Sequence, residues 1–553
     1  MKKSTTFVLA LMVLPVLGLV AAGQQVATTA EPMEISWFGL YGAEIQDGNE
    51  VQQHLEEMFD VTLVNKQIDY KDREKINLMI ASGEHTDYTY AFVNMVDFFT
   101  KGAFRSIPRD MIREHAPGYT AWLDASGPVA WHLGLVPGSE DEYMGLVRAL
   151  DYKIGTTYEP FFRLDYLEAV GVEVPGLIPV GARHCEGACF WTKEAFTADQ
   201  VEEILYLFRD GDPSGGVHDV IPLGISNESN AFGLYYILAL HGLNGVDNYD
   251  DGGKTVKQAV HSQFREALKT AQRWFQDGLM DSELPAVNRK PTMYDKIIAG
   301  IYGTYTFAYG NIGLSGDPSR DHEIPQSIIA RYPDARVVVT PPTIAYDGKQ
   351  YAPAGVAAFP IDANGISAVH VGVSDEKLAR ILQIYDYVNF DDYGMLYTQY
   401  GTEGVNFTWD GEAGNSYPTA IEGQRGFGGQ WGFGYYNANT RHTELYSRYQ
   451  IPVLNKELEQ YFKLGPGADW AVPQFRQDVL GETDYIELSA KLRGALNTLR
   501  DEFTWEAVTT DLDIDAAWDA YVERWLSAGG QELLDELAKM PQVLPLREGK
   551  FVY

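Results

Sequence analysis

The chain has 553 residues, of which 45% are hydrophobic and 22% are charged, and its formal net charge is −34. This length exceeds what one ordinary hydrophobic core covers, so we expect a soluble globular protein with two or more lobes, not a disordered or membrane protein. The acidic balance argues against nucleic acid as a partner, because phosphate contacts require Lys and Arg.

Residues 1–23 have the order of a secretory signal peptide. Lys2 and Lys3 precede an apolar run from Phe7 to Val20, and small residues follow up to Gly23. The run is too short and too simply flanked for a transmembrane anchor. No cysteine stands before Cys185, so no lipidated cysteine can follow the cleavage site. We therefore expect a periplasmic or extracellular protein that is soluble after cleavage.

The apolar pattern after this segment predicts a strand, a helix and a second strand. Met33 to Leu40 and Val61 to Val64 have the composition of strands, and Glu50 to Phe59 carries one apolar helical face. Short connections make this a parallel unit with a right-handed crossover. Ligands of such sheets bind beyond the carboxyl ends of the strands. Trp37, at the end of the first strand, and Asn94, after a later strand, are therefore candidates for a cleft.

The two cysteines, Cys185 and Cys189, lie close together in RHCEGACF. Export permits a local disulfide between them, and the alternative is two free, buried thiols. A structural zinc site is not expected, because only His184 is nearby and such a site needs four ligands.

Capping residues and apolar periodicity predict further helices. Thr197 and Gln200 form a capping box at the start of one helix. Near the C-terminus, helices are predicted over residues 483–500 and 515–528. The aromatic side chains of the second of these recur at helical spacing, which indicates core packing.

The helix that begins near Ser374 is followed by YGTEGVNFTWDGE, residues 400–412, in which glycines alternate with large rings. This run resembles the signature of the long, lipoprotein-type extracellular solute-binding proteins of bacterial carbohydrate importers, the group that includes alginate-oligosaccharide binders. The resemblance extends to Asp386 and Tyr387 on that helix, to KINLMIASGEHTDY (75–88), and to segments 143–167 and 511–525.

The resemblance implies an α/β, two-lobed periplasmic-binding-protein fold, type II-like, with C-terminal helices. Its hinge is expected to consist of crossing segments near residues 150, 335 and 400. Lobe 1 then comprises residues 31–149 and 336–397, and lobe 2 comprises residues 150–335 and 398–553.

A carbohydrate cleft needs rings that stack on sugar faces and planar polar groups that bind hydroxyls. Position and resemblance predict a ligand-binding set of Trp37, Asn94, Arg148, Tyr305, Trp409 and Trp431. For the rings the alternative is a place in the core, and Trp409 in particular would then wedge the hinge. Arg148 and Arg163 near the first crossing are suited to gripping a carboxylated sugar, although Arg163 has Asp165 as an alternative partner on the surface.

The segment DPSGGVHDVIPLG stands where several members of the resembled group carry a calcium loop. Asp212, Ser214 and Asp219 would supply three oxygens, whereas calcium needs six or more. The loop is one residue short, and Val220 replaces the last acidic ligand of the pattern. The alternative is an Asx-type turn after the preceding helix. No other cofactor is expected.

The resemblance implies the substrate-binding component of an ABC transporter, which captures a carbohydrate, expected to be an oligosaccharide, between its lobes. Its expected partners are the sugar and the importer's transmembrane subunits, and the protein is expected to be a monomer and not an enzyme. No G-x-S-x-G motif occurs, and a carboxylate pair for glycoside hydrolysis needs a defined separation that a sequence does not reveal. The alternatives are a secreted polysaccharide-active enzyme, either a glycoside hydrolase or a lyase, and a binder of peptides or other nutrients on the same fold.

Overall fold

The computed structural model describes most of the chain in segments. They are residues 32–39, 45–69, 72–90, 95–126, 131, 134–136, 138–149, 158–180, 187–228, 233–243, 248–252, 254–288, 292–308, 324–351, 361–409, 413, 418–421, 431–436, 483–539, 544–545 and 551–552. No helix among these residues is both long and apolar enough to cross a membrane.

The strands are mostly short and are numbered in chain order. They are β1 Met33–Phe38, β2 Val61–Asn65, β3 Tyr88–Thr89, β4 Phe104–Arg105, β5 Ile107–Pro108, β6 Glu142–Tyr143, β7 Leu146–Ala149, β8 Tyr158–Arg163, β9 Ile178–Pro179, β10 Cys189–Trp191, β11 Ile221–Gly224, β12 Asn248–Asp250, β13 Thr255–Lys257, β14 Tyr302–Ala308, β15 Val337–Val339, β16 Ile361–His370, β17 Phe407–Trp409, β18 Pro418–Ala420, β19 Leu544–Pro545 and β20 Phe551–Val552.

The helices are numbered in the same way. They are α1 Glu50–Phe59, α2 Arg73–Ala81, α3 Met95–Thr100, α4 Arg109–His115, α5 Pro117–Ser126, α6 Leu164–Ala169, α7 Ala198–Asp210, α8 Tyr235–Leu240, α9 Ser262–Gln276, α10 Tyr294–Ile298, α11 Ile324–Arg331, α12 Asp375–Phe390, α13 Asp392–Tyr400, α14 Thr483–Thr509, α15 Ile514–Trp525 and α16 Gln531–Leu537. The turns Gln258–Val260 and Leu284–Ala286 are 3₁₀-helical, and Leu526–Gly530 is a π-helical turn between α15 and α16.

The first lobe is built on a sheet of order β2-β1-β3-β16-β4, in which β7 also pairs with β16. β1 runs parallel to β2 and β3, and α1 connects β1 to β2, so the predicted parallel unit is confirmed. Helix α12 packs on this sheet and on α1, α4 and α5. Its side chains at helical spacing form one apolar stripe that is fully buried: Leu378, Ile381, Leu382, Tyr385 and Val388.

The second lobe is built on a sheet of order β11-β14-β8-β15-β10-β9. Each face of this sheet carries its own hydrophobic core, since Phe161 and Phe162 are adjacent on β8 and belong to different cores. The C-terminal helices cover the core that contains Phe162. Phe503 of α14 and Tyr521 of α15 stack there with ring centroids 4.1 Å apart, so the predicted core packing of the C-terminal rings is confirmed.

Each sheet has one strand that arrives from the other lobe and runs antiparallel to its neighbours. β8 follows β7 of the first sheet and runs antiparallel to β14 and β15. β16 follows β15 of the second sheet and runs antiparallel to β3, β4 and β7. The chain therefore alternates between two separate sheets, and the fold is a mixed α/β, two-lobed one.

Two expected lobe boundaries need revision. The expectation assigned residues 336–397 to lobe 1, but β15 is a fully buried apolar triplet between β8 and β10 of the second sheet. We therefore propose that the return passage lies between residues 351 and 361, where the chain re-enters the first sheet as β16. Likewise, Phe433, Tyr435 and Tyr436 belong to the core of the first lobe, although the expectation placed residues 398–553 in lobe 2.

Helix starts follow the capping residues of the sequence. Asn49 accepts a hydrogen bond from the backbone N–H of Gln52 at the start of α1. The predicted capping box of α7 is confirmed in both directions between Thr197 and Gln200. Such caps satisfy backbone N–H groups that the first helical turn leaves unpaired.

Candidate functional site

A groove lies on the first lobe beside the start of α1. Its volume is about 340 Å³. The side of the groove formed by α1 and the preceding loop is lined by Gln46, Asp47, Gly48, Asn49, Glu50 and Gln53, and the ring of Trp431 forms another part of the wall. We call this set the Trp431 groove. It combines one large ring with amide and carboxylate groups, which is the composition expected of a sugar subsite.

Local hydrogen bonds hold the α1 side of the Trp431 groove in place. The side chain of Gln52 accepts a 2.8 Å hydrogen bond from the backbone N–H of Gly48, and that of Gln53 donates a 2.8 Å bond to the Gly48 carbonyl. Gly48 has φ +68°, a conformation that favours glycine. Asn49 donates a 2.8 Å bond to the carbonyl of Gln46. The loop is therefore preorganised before any ligand arrives.

Trp431 reaches the groove because the segment 431–436 is anchored on the ends of β1 and β2. The hydroxyl of Tyr435 donates to the Trp37 carbonyl at 2.6 Å and accepts from the backbone N–H of Lys66 at 3.1 Å. Tyr436 donates a 2.6 Å bond to the side-chain oxygen of Asn65. Burial raises the pKa of Tyr435, so its phenol remains a donor at neutral pH.

Segment 431–436 packs against β1 and α1 because two glycines allow a close approach. A Cβ on Gly39 would lie 1.9 Å from the carbonyl oxygen of Tyr435, so only glycine fits directly after β1. A Cβ on Gly432 would lie 2.2 Å from the side-chain oxygen of Asn49. The segment 431–436 thus packs on strand ends of the first lobe.

Two of the predicted ligand residues are core residues. Trp37 has no exposed surface and stacks on Tyr88 with ring centroids 3.8 Å apart. Tyr305 is 1% exposed and stacks on Phe161 at 5.5 Å. The cause is the same for both, because each ring points into a layer of packed side chains and not past the end of its strand. In this conformation neither ring is available to a ligand.

The other predicted ligand residues have different surroundings. Trp431 lines the groove. Trp409 packs in a small cluster with Met395, Tyr400 and Phe407, as its alternative reading anticipated. Arg148 lies on β7 opposite Asp362, and its side chain falls outside the described residues, as does the whole of Asn94. Ligand contact by Arg148, Asn94 and Trp409 stays a prediction.

Arg163 takes its alternative partner. Its guanidinium donates two hydrogen bonds to the carboxylate of Asp165, at 2.9 and 2.5 Å. The pair is largely buried and not on the surface, since the Arg163 side chain is 4% exposed. The pair lies at the end of β8 away from the first passage between the lobes. The guanidinium therefore binds a carboxylate of lobe 2.

The predicted calcium residues form a turn that is closed by its own hydrogen bonds. One carboxylate oxygen of Asp212 accepts from the backbone N–H of Gly216 at 2.9 Å and from the Ser214 hydroxyl at 3.2 Å. Ser214 also bonds to the backbone of His218 in both directions. Among the residues that the structure describes, no group of three or more His, Cys, Asp or Glu side chains is placed to hold a metal. The hydrogen bonds of Asp212 and Ser214 are those of the alternative Asx-type turn, and calcium binding by Asp212, Ser214 and Asp219 stays a prediction.

Cys189 is fully buried at the start of β10 and is disulfide-bonded. Cys185 is the only other cysteine of the chain, but it lies outside the described residues. The pairing of Cys185 with Cys189 therefore stays a prediction.

The loop before α1 is the part of the groove that the sequence did not reveal. Asn49, directly before an apolar helical pattern that starts with Glu50, is a recognisable cap signal. The anchoring role of Tyr435 has no local signal, because its partners Trp37 and Lys66 lie more than 360 residues away.

Comparison with known proteins gives structural relatives only. No protein-family profile matches the chain, and no curated protein sequence matches it. The solute-binding protein FusA of S. pneumoniae, solved with kestose, aligns with a TM-score of 0.66 at 16% identity, over 92% of this chain and 98% of that one. An HMO-binding, ABC-transporter-associated solute-binding protein from Bifidobacterium longum infantis aligns at 0.65 and 14% identity, with coverage of 92% and 98%.

The alginate-binding protein AlgQ2, solved without calcium ion, aligns with a TM-score of 0.64 at 15% identity, again over 92% of this chain and 98% of that one. These identities are too low to transfer a ligand, but the alignments span almost the whole of each chain. The chain therefore has the two-lobed fold of the solute-binding proteins that serve ABC transporters.

Proposed function

We propose that this protein is the substrate-binding component of an ABC importer and that it captures an oligosaccharide between its two lobes. The observation that carries the proposal is the Trp431 groove, which lies beside the carboxyl ends of β1 and β2 in a chain with a carbohydrate-binder fold. That edge of a parallel sheet is where ligands bind in α/β folds.

The composition of the groove suits a sugar. The indole of Trp431 offers an apolar face for a pyranose or furanose ring. Gln46 and Gln53 bring amide groups, which are able to donate to and accept from sugar hydroxyls. A half-buried ring beside preorganised polar groups lowers the ordering cost of binding.

The charge of the groove favours some sugars over others. Its described lining includes the carboxylates of Asp47 and Glu50 and no cationic side chain. A uronate would meet two like charges there, which disfavours binding. We therefore propose a neutral or amine-bearing oligosaccharide, in place of the carboxylated sugar that Arg148 and Arg163 suggested from the sequence.

Transport then follows from a shift between open and closed states. A ligand that contacts both lobes only when they close stabilises the closed state. In this structure α3 of lobe 1 and α14 of lobe 2 approach each other, with Asp97 and Arg493 3.9 Å apart as an ion pair. We propose that the closed form docks on the importer's transmembrane subunits and that other chains hydrolyse ATP.

A glycan panel tests this function. The purified protein is incubated with neutral, amine-bearing and uronate oligosaccharides and with peptides, while its melting temperature and any reaction products are measured. A rise in melting temperature with neutral or amine-bearing sugars and no products is expected. Bond cleavage would instead indicate the polysaccharide-active enzyme, and a rise only with peptides would indicate the third class. A response to uronates alone would contradict the proposed charge preference.

Export and oligomeric state are part of the same proposal. We propose that the mature protein is a soluble monomer outside the cytoplasmic membrane. Mass determination of the protein secreted by its host is expected to show loss of the first 23 residues or so. Light scattering is expected to give the mass of one chain. Retention of the N-terminal segment or a dimer mass would overturn these points.

A further inference from the structure

Glu159 is a buried carboxyl group without a hydrogen-bond partner. It is the second residue of β8 and has no exposed surface. Neither of its carboxylate oxygens has a hydrogen-bond partner among the described residues. Burial alone raises the pKa of Glu159 well above its ordinary value.

The surroundings of Glu159 are apolar. Phe307 of β14 lies directly opposite it, and Phe161 lies two residues further along the same face of β8. Phe307 packs in turn against Tyr294 with ring centroids 5.5 Å apart. The guanidinium of Arg163 shares this face but belongs to a residue roughly 13 Å along the strand, and it bonds to Asp165. No described group therefore compensates the burial of this carboxyl.

Such an arrangement costs stability in the free protein. A buried polar group without a partner costs about 1–3 kcal/mol, and an ionised one costs more. A leucine at the same place would avoid this cost. Residues that break the rules of core composition concentrate at functional sites, where binding or catalysis compensates for the lost stability.

The position of Glu159 in the sheet favours a role in ligand binding. β10, β11, β14 and β15 all run antiparallel to β8, so their carboxyl ends meet at the edge where β8 begins. The passage from the first lobe arrives at the same edge, because residue 158 opens β8 only nine residues after β7 ends at residue 149. This edge of lobe 2 therefore corresponds to the strand ends that carry the Trp431 groove in lobe 1.

We propose that Glu159 is the lobe-2 counterpart of the Trp431 groove and that its carboxyl group accepts a hydrogen bond from a hydroxyl of the bound sugar. This inference rests on the proposed function. The carboxyl is enclosed in the present conformation. The proposal therefore requires that the beginning of β8, where the passage from the first lobe enters, opens to the ligand when the lobes separate. A sugar hydroxyl then supplies the partner that the free protein lacks, and this gain favours the ligand-bound state.

The test compares Glu159→Gln with Glu203→Gln, which makes the same substitution at an exposed position on α7 of the same lobe. Affinity for the best sugar of the panel is measured by calorimetry, and folding is checked by circular dichroism and melting temperature. Glu159→Gln is expected to weaken sugar binding at least tenfold with an unchanged or higher melting temperature at neutral pH. Glu203→Gln is expected to bind as the unsubstituted protein does.

A second measurement does not depend on the variant folding. Infrared difference spectra of the unsubstituted protein, with and without sugar, report the carboxyl band of a protonated buried acid. The band is expected to shift or disappear when the sugar binds. Unchanged affinity in folded Glu159→Gln, or an unchanged carboxyl band, overturns the inference and leaves the proposed function intact. Failure of every sugar to bind the unsubstituted protein overturns both.

Discussion

The hydroxyl of Tyr435 donates a 2.6 Å hydrogen bond to the carbonyl oxygen of Trp37, a residue 398 positions earlier in the chain. Through this bond a late segment of the chain closes over the end of the first strand. The same contact explains two results at once, because it covers the strand end beside the buried Trp37 and carries Trp431 to the groove.

Tyr435→Phe is predicted to lower both stability and affinity. The change removes one buried hydroxyl and its hydrogen bonds, so a loss of about 1 kcal/mol in the free energy of unfolding is expected. Sugar affinity is expected to fall several-fold, because segment 431–436 loses its anchor. Urea unfolding and calorimetry measure the two effects. Tyr393→Phe, on a ring that is 58% exposed, serves as control, and equal behaviour of the two variants would contradict the prediction.

Trp431→Ala is predicted to reduce affinity without unfolding the protein. The indole is proposed to be the stacking face of the groove, so loss of roughly 1.4 kcal/mol or more, about tenfold in Kd, is expected. The ring is only half-buried, so the melting temperature should change little. Tyr393→Ala, the control, removes an exposed ring of the same lobe that lies outside the groove lining. If both alanine variants bind sugar equally well, the groove is not the subsite.

Glu159→Gln is predicted to stabilise the protein increasingly as the pH rises. Burial raises the pKa of Glu159 in the folded state. The unfolded chain therefore releases its proton first, and the folded state loses stability as the pH rises above the unfolded value of about 4.3. Glutamine does not titrate and avoids this loss. Unfolding free energies are to be compared from about pH 4 to pH 8, and a difference that shrinks toward high pH would contradict the sign.

Asp386→Ala is predicted to cost about 1–3 kcal/mol of stability. The carboxylate of Asp386 on α12 accepts from the backbone N–H groups of Gly118 and Tyr119, at 3.0 and 2.7 Å, and so caps α5. Burial nevertheless raises the pKa of Asp386, which means that the negative charge itself is disfavoured there. Asp386→Asn keeps one acceptor without the charge and is expected to cost less. If chemical unfolding shows that Asp386→Asn loses more stability than Asp386→Ala, the prediction that Asp386 acts as a cap is wrong.

Local features of the fold were predictable because they depend on neighbours in sequence. The capping box of Thr197 and Gln200 needs only four consecutive residues, and the buried stripe of α12 needs only helical periodicity. The strand–helix–strand start of the first lobe is of the same kind. The burial of Trp37 and Tyr305 could not be predicted from the sequence, because a ring near a strand end is equally compatible with a cleft and with a core.

The predicted passage between the lobes near residue 335 differs from the structure for a related reason. The proline pair Pro341 and Pro342, which follows β15 and Thr340, marks a break in the strand, but a break does not reveal on which sheet the strand lies. Backbone pairing of Val337–Val339 with β8 and β10 decides this. Such pairing joins Val337 to Cys189 and to Arg163, both far away in the sequence, and no local pattern encodes it.

The amino-acid sequence alone predicted the fold class, an acidic α/β chain of two lobes, through its resemblance to the solute-binding proteins of carbohydrate importers. Only the tertiary structure decided which rings are buried and which line a groove, and that Glu159 is buried without a partner. The physical reason is that exposure depends on what the rest of the chain lays over a residue. For Trp37, Trp431 and Glu159 those covering contacts come from distant segments, as the bond from Tyr435 to Trp37 shows.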